Sequence, residues 1–231
     1  MSSSNSKAKR FIRSGEGRNK SLLKTNLVLL LALFMIIFII PTISLQKELL
    51  TSVLLCILVI SGLFAAEFSK SAFRILFSIG TLVILVTLLN LLLPKVQSLN
   101  ILTFILNTVF FIIVTSALIA HVASASKVYT STLLCAINSY LLIGLTLSIF
   151  FLILDLFIPG SFSQIKPDEG FSTFIYYGFV TLTTLGFGDI TPHTALARSF
   201  SIFTALFGQL YLVIIMALII GKFLKGENTT K

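Results

Sequence analysis

A chain of 231 residues with 56% hydrophobic and only 11% charged residues is not an ordinary soluble domain, where charged residues run at about 25%. Its 17 Lys and Arg against 8 Asp and Glu would suggest nucleic acid on a soluble protein. Here the basic residues flank long apolar runs, so they are read as topology determinants and contacts for anionic lipid, with no nucleic-acid partner.

In chain order, a basic arm over residues 1–25 precedes six apolar runs at 26–45, 50–68, 71–93, 100–124, 130–158 and 195–223. Each is near the roughly 20 residues that a spanning helix needs. An even number of crossings puts both termini on one side. Thirteen basic residues fall on that side, Lys7 to Lys24, Lys70, Arg74, Lys127, Lys222, Lys225 and Lys231 among them, against Lys47, Lys95, Lys166 and Arg198 on the other. The positive-inside bias then makes both termini cytoplasmic, in a multi-pass protein of the cell membrane. The first run is too long for a signal peptide and "PTISLQKELL" lacks a clear cleavage site. Cys56 and Cys135 fall in separate spans and read as packing residues.

Between runs five and six lies "FSTFIYYGFVTL", Phe171 to Leu182, apolar but about a dozen residues long. It cannot cross a hydrocarbon core about 30 Å thick, so it is expected to be re-entrant. Asp168 and Glu169 precede it, where a helix dipole favours carboxylates. The residues after Leu182 must be irregular backbone, tolerated at membrane depth only where it is buried in protein or lines water. In "TTLGFGD", Thr183 to Asp189, glycines at 186 and 188 open dihedrals closed to other residues, so that carbonyls can turn toward a common axis.

"TTLGFGD", with the short helix before it and the apolar span after it, resembles the selectivity-filter signature of the tetrameric pore-loop potassium channels over about residues 171–223. The resemblance implies an all-α membrane fold: six transmembrane helices, a re-entrant pore helix and filter between helices five and six, and a fourfold homotetramer. Residues 26–124 would be a four-helix membrane domain, 130–224 the pore domain and 225–231 a short cytoplasmic tail. Thr184, Leu185, Gly186, Phe187 and Gly188 would form the ion-binding filter, with potassium ions the only metal and no other cofactor. Asp189 would sit at the outer mouth, supported with the filter by Thr183 and by Tyr176 or Tyr177. The chain departs from common members in having no Trp and in carrying Val180 where some relatives have Glu. The function implied is passive K⁺ permeation, not catalysis; a weakly selective monovalent cation channel and a potassium-transporter subunit are the alternatives.

In the last run Gly208 lies 19 residues beyond Asp189, where many potassium channels bend. A hinge and a close helix contact are both open readings. Below it Gln209, Leu212, Met216 and Ile220 follow at helical spacing and are expected to line a cavity and a hydrophobic gate. Run four has no Arg or Lys, and moving a charge is worth only about 2.3 kcal/mol per 100 mV, so strong voltage gating by this helix is not expected. Glu67 reads as an interfacial anchor, Asp155 as a solvated group near the outer interface, and His121 and His193 as loop-side histidines.

Overall fold

The computed structural model describes residues 19, 21–42, 47–65, 68–94, 96–125, 128–163 and 170–228, the backbone alone at 47, 48 and 225–228. The expectations for the basic arm before residue 19, Glu67, Asp168, Glu169 and the tail beyond 228 lie outside the described residues. Among those described, seven helices run in order: α1 Ser21–Thr42, α2 Lys47–Ala65, α3 Lys70–Leu92, α4 Gln97–Ser124, α5 Thr130–Phe157, α6 Gly170–Leu182 and α7 Ala195–Asn228. There is no strand among the described residues beyond one isolated bridge, Phe162 to Pro192.

Five of the helices, α1, α3, α4, α5 and α7, are long and apolar enough to cross a membrane. The second run forms α2, 19 residues from Lys47 to Ala65, close to the roughly 20 that a span needs. Pro41 shapes α1. It lacks an N–H and its ring crowds the preceding turn, and the helix widens into a π turn at Met35–Ile39 and tightens to 3-10 at Ile40–Thr42.

α1 buries Leu29, Leu33, Ile36 and Ile40, spaced four, three and four residues apart on one face, while Leu27, Leu31, Phe34 and Phe38 stay exposed. Such apolar exposure has lipid, not water, as its natural neighbour. The shared core continues through Leu58 and Val59 of α2 and through Phe110, Phe111, Val114 and Leu118 of α4. α5 is the central post, packed on α4 on one side and on α6 on the other.

Buried amides fix the register of this packing. Asn26 Nδ2 donates to the Ala65 carbonyl at 2.8 Å, holding the start of α1 to the end of α2. Asn138 Nδ2 of α5 donates to the Asn26 carbonyl at 2.8 Å. The starts of α1, α3 and α5 and the ends of α2, α4 and α7 therefore gather at one end of the bundle. Lys24, Lys70, Arg74 and Lys222 lie at that end, and Arg198 at the other.

Candidate ion-permeation site

The short helix α6 sits in the bundle because small residues let it approach α5. A Cβ at Gly178 would overlap the Ser148 hydroxyl, and that hydroxyl donates to the Gly144 carbonyl at 2.7 Å. Behind α6 an aromatic cluster takes up the bulk. The Tyr177 ring meets Phe151 edge-on at 4.9 Å and Phe162 at 5.1 Å, and Phe151 meets Phe200 of α7 at 5.4 Å. Edge-to-face pairs of this kind add to area burial. Tyr177 closes the cluster with a 2.6 Å hydroxyl bond to Ser201 of α7.

After Leu182 the backbone changes character. Thr184, Gly186 and Gly188 have φ of 60°, 54° and 79°, while Leu185 and Phe187 between them are not left-handed. A threonine at positive φ is a strained exception for a β-branched residue. Left-handed residues at every second position turn the backbone so that N–H groups gather on one side and carbonyls are freed on the other. The N–H groups of Leu185 and Gly186 both reach the Val180 carbonyl, at 3.0 and 3.3 Å. That leaves residues 183–189 exposed along their length.

Thr183 is anchored backward, its hydroxyl donating to the Phe179 carbonyl at 2.7 Å. The Thr184 hydroxyl donates to the Thr183 carbonyl at 2.6 Å and accepts from Gln209 Nε2 at 3.2 Å. Gln209 thus stands directly beside the start of the irregular segment.

At the other end Tyr176 donates to Asp189 Oδ2 at 2.5 Å, and its ring lies parallel to that of Phe187 at 6.5 Å. The two tyrosines therefore divide the work: Tyr176 reaches Asp189, and Tyr177 reaches α7. The Tyr176 hydroxyl holds the Asp189 carboxyl below its ordinary range, despite a small opposing desolvation. Beyond Asp189 the loop is clasped to the one that comes after α5. Ser163 N–H donates to the Thr191 carbonyl at 2.9 Å and His193 N–H to the Ser161 carbonyl at 2.8 Å. Asp155 belongs to this clasp, accepting from Ser161 N–H at 3.1 Å.

Gly208 of α7 faces the last turn of α6. A Cβ there would overlap the Leu182 carbonyl oxygen, so only glycine lets α7 meet the end of α6 backbone to backbone. Tyr211, one turn further, donates to the Ala136 carbonyl of α5 at 2.7 Å and lies 2.6 Å from the Ser139 hydroxyl. Gln209, Leu212, Met216 and Ile220 are all exposed, within about 80° of one another around the helix at 100° per residue. Near the end of α7, Lys222 Nζ donates to the carbonyls of Val122 and Ala123 at 2.6 and 2.7 Å, where a helix leaves its last carbonyls unpaired.

Sequence reasoning missed the Gly178 contact with Ser148, the Phe151–Phe162–Phe200 cluster, Ser201 and Lys222. The one signal for the cluster was composition, 22 Phe and no Trp. A family described as ion channels matches residues 139–225. A stretch of 52 residues is 44% identical to two pore potassium channel c of Oryza sativa subsp. japonica, covering 22% of this chain and 11% of the rice protein. Residues 139–225 are thus similar to ion channels, and the two findings support a pore-loop potassium channel family.

Proposed function

We propose that the protein is a potassium-selective channel in which four copies bring residues 183–189 around one axis. The observation that carries this reading is the left-handed alternation at Thr184, Gly186 and Gly188. It frees the carbonyls of Thr184, Leu185, Gly186 and Phe187 to replace the hydration shell of K⁺, with Gly188 completing the turn outward. Uncharged hard oxygens suit a monovalent ion that must bind and then leave. A Cβ at Gly186 or Gly188 would meet nothing within 4 Å, so neighbouring copies have room on that side.

Six crossings with α6 re-entrant follow if α2, bonded through Ala65 back to Asn26, returns across the membrane. Both termini are then cytoplasmic, in the cell membrane, with anionic lipid against the basic arm. K⁺ leaves the cavity past Gln209, passes through the filter and emerges at Asp189, whose charge concentrates cations at the mouth. Leu212, Met216 and Ile220 form an apolar neck that closes by dewetting. α4 carries no Arg or Lys to drive it by voltage.

Flux from liposomes holding the purified protein tests the reading. K⁺ efflux should exceed Na⁺ efflux, and Gly186→Ala, forcing a side chain onto φ of 54°, should abolish it. Flux that survives the substitution would refute the filter assignment. Equal K⁺ and Na⁺ flux that is lost on substitution would instead favour the weakly selective cation channel.

A further inference from the structure

We propose that the groove between α1 and α2 seats one acyl chain of an anionic phospholipid whose head group pairs with Lys24. The groove has a volume of about 270 Å³ and is lined by Lys24, Thr25, Val28, Ile57, Ile60, Ser61 and Phe64. The α2 residues lie three or four apart along one face, so the groove runs along the helices for about 10 Å at 1.5 Å per residue. That is a slot for a chain, well within a monolayer's share of a hydrocarbon core about 30 Å thick. The polar atoms of its wall are already used: the Ser61 hydroxyl donates to the Leu58 carbonyl, and that of Thr25 to the Leu22 carbonyl. The wall therefore selects hydrocarbon.

Charge selects the head group. Lys24 stands at the end of the groove where Asn26 meets Ala65, the end that also carries Lys70, Arg74 and Lys222. Among residues whose side chains are described, no carboxylate lies at this end. Lys222 is committed to two helix-end carbonyls, whereas Lys24 has no hydrogen-bond or ion-pair partner among the described residues. An ammonium with no partner among the described residues, beside an apolar slot, matches a lipid phosphate joined to its acyl chain. The basic arm before it attracts anionic lipid as a diffuse surface; the groove adds a seat.

The test is native mass spectrometry of the purified full chain after exchange into vesicles of equal phosphatidylglycerol and phosphatidylcholine. Wild type should retain phosphatidylglycerol several-fold over phosphatidylcholine, and excess glycerol 3-phosphate should not displace it. Ile60→Trp fills the slot without changing charge, and Ile60 is half exposed, so the core is spared. Ile60→Trp and Lys24→Glu should each lose the retained lipid, and Lys24→Arg should keep it. Ile57→Phe is a second filling variant should Ile60→Trp fail to fold. Retention unchanged by filling the slot, equal retention of the two lipids by wild type, or displacement by glycerol 3-phosphate would overturn the proposal. This result is independent of flux, so it stands or falls apart from the filter reading.

Discussion

The two halves of α7 are held in different ways. Its first half is interlocked with α6 and α5 through backbone contact at Gly208, the hydroxyl pair Tyr177 and Ser201, and ring stacking of Phe200 on Phe150 at 4.2 Å. Its last part, beyond the buried Ile215, keeps among the described side chains partly buried Leu218 and Ile219 against the core and the two bonds of Lys222. The first half meets α6 backbone to backbone at Gly208, with the Leu182 carbonyl in the way of any added Cβ. The second is tied by fewer contacts, those of Leu218, Ile219 and Lys222 among the described residues. A filter needs the first property and a gate the second.

The largest expected effect comes from breaking the rigid half. Gly208→Ala drives a Cβ into the Leu182 carbonyl, a backbone atom that cannot rotate away, at a cost of about 1–3 kcal/mol for overpacking. K⁺ flux should be lost, while Gly221→Ala, in open space on the same helix, should leave flux unchanged and not lower stability. Equal behaviour of the two variants would remove the distinction between the halves.

Next is the less tied half. Lys222 points along the face of α7 that carries Gly208, Tyr211 and Ile215, away from Met216 and Ile220. Its bonds to α4 therefore hold the end of α7 back from the proposed axis. Charge-assisted bonds contribute about 1.5–3 kcal/mol each when shielded and less at a partly exposed end. Lys222→Met should lower open probability several-fold in single-channel records, with Lys222→Arg intermediate. An unchanged record would mean the tie does not bear on the gate.

Smaller effects sharpen the comparison within the rigid half. Tyr177→Phe keeps the ring cluster and deletes the bond to Ser201, at about 1 kcal/mol, read as a lower melting temperature with selectivity intact. Tyr176→Phe leaves the aromatic cluster alone and acts on Asp189. A carboxyl held below its ordinary value of 3.8 contributes its charge fully above the unfolded value and loses it only as pH falls through the lower folded one. Conductance should stay flat as external pH falls to about 4, and Tyr176→Phe should move the inflection upward.

Much of the local geometry of residues 170–189 was legible because its signals are local. The glycines of "TTLGFGD" need positive φ at fixed spacing, and a dozen apolar residues cannot cross a bilayer. Thr184 was not legible as a left-handed residue, since nothing in its side chain favours that conformation. Tyr176 and Tyr177 were interchangeable in sequence, because neighbouring helical residues differ only by 100° of azimuth and the choice rests on where Ser201 and Asp189 lie. Gly208 was open between hinge and contact; the contact became visible only with Leu182 placed against it. Lys222 looked like one more cytoplasmic charge, because its partners are backbone carbonyls 99 and 100 residues away.

The bi-ionic reversal potential across a planar bilayer bears most directly on potassium conduction through the alternating backbone of residues 184–188. With K⁺ on one side and Na⁺ on the other, wild type should reverse far toward the potassium equilibrium potential. A reversal near zero would contradict a potassium-selective filter.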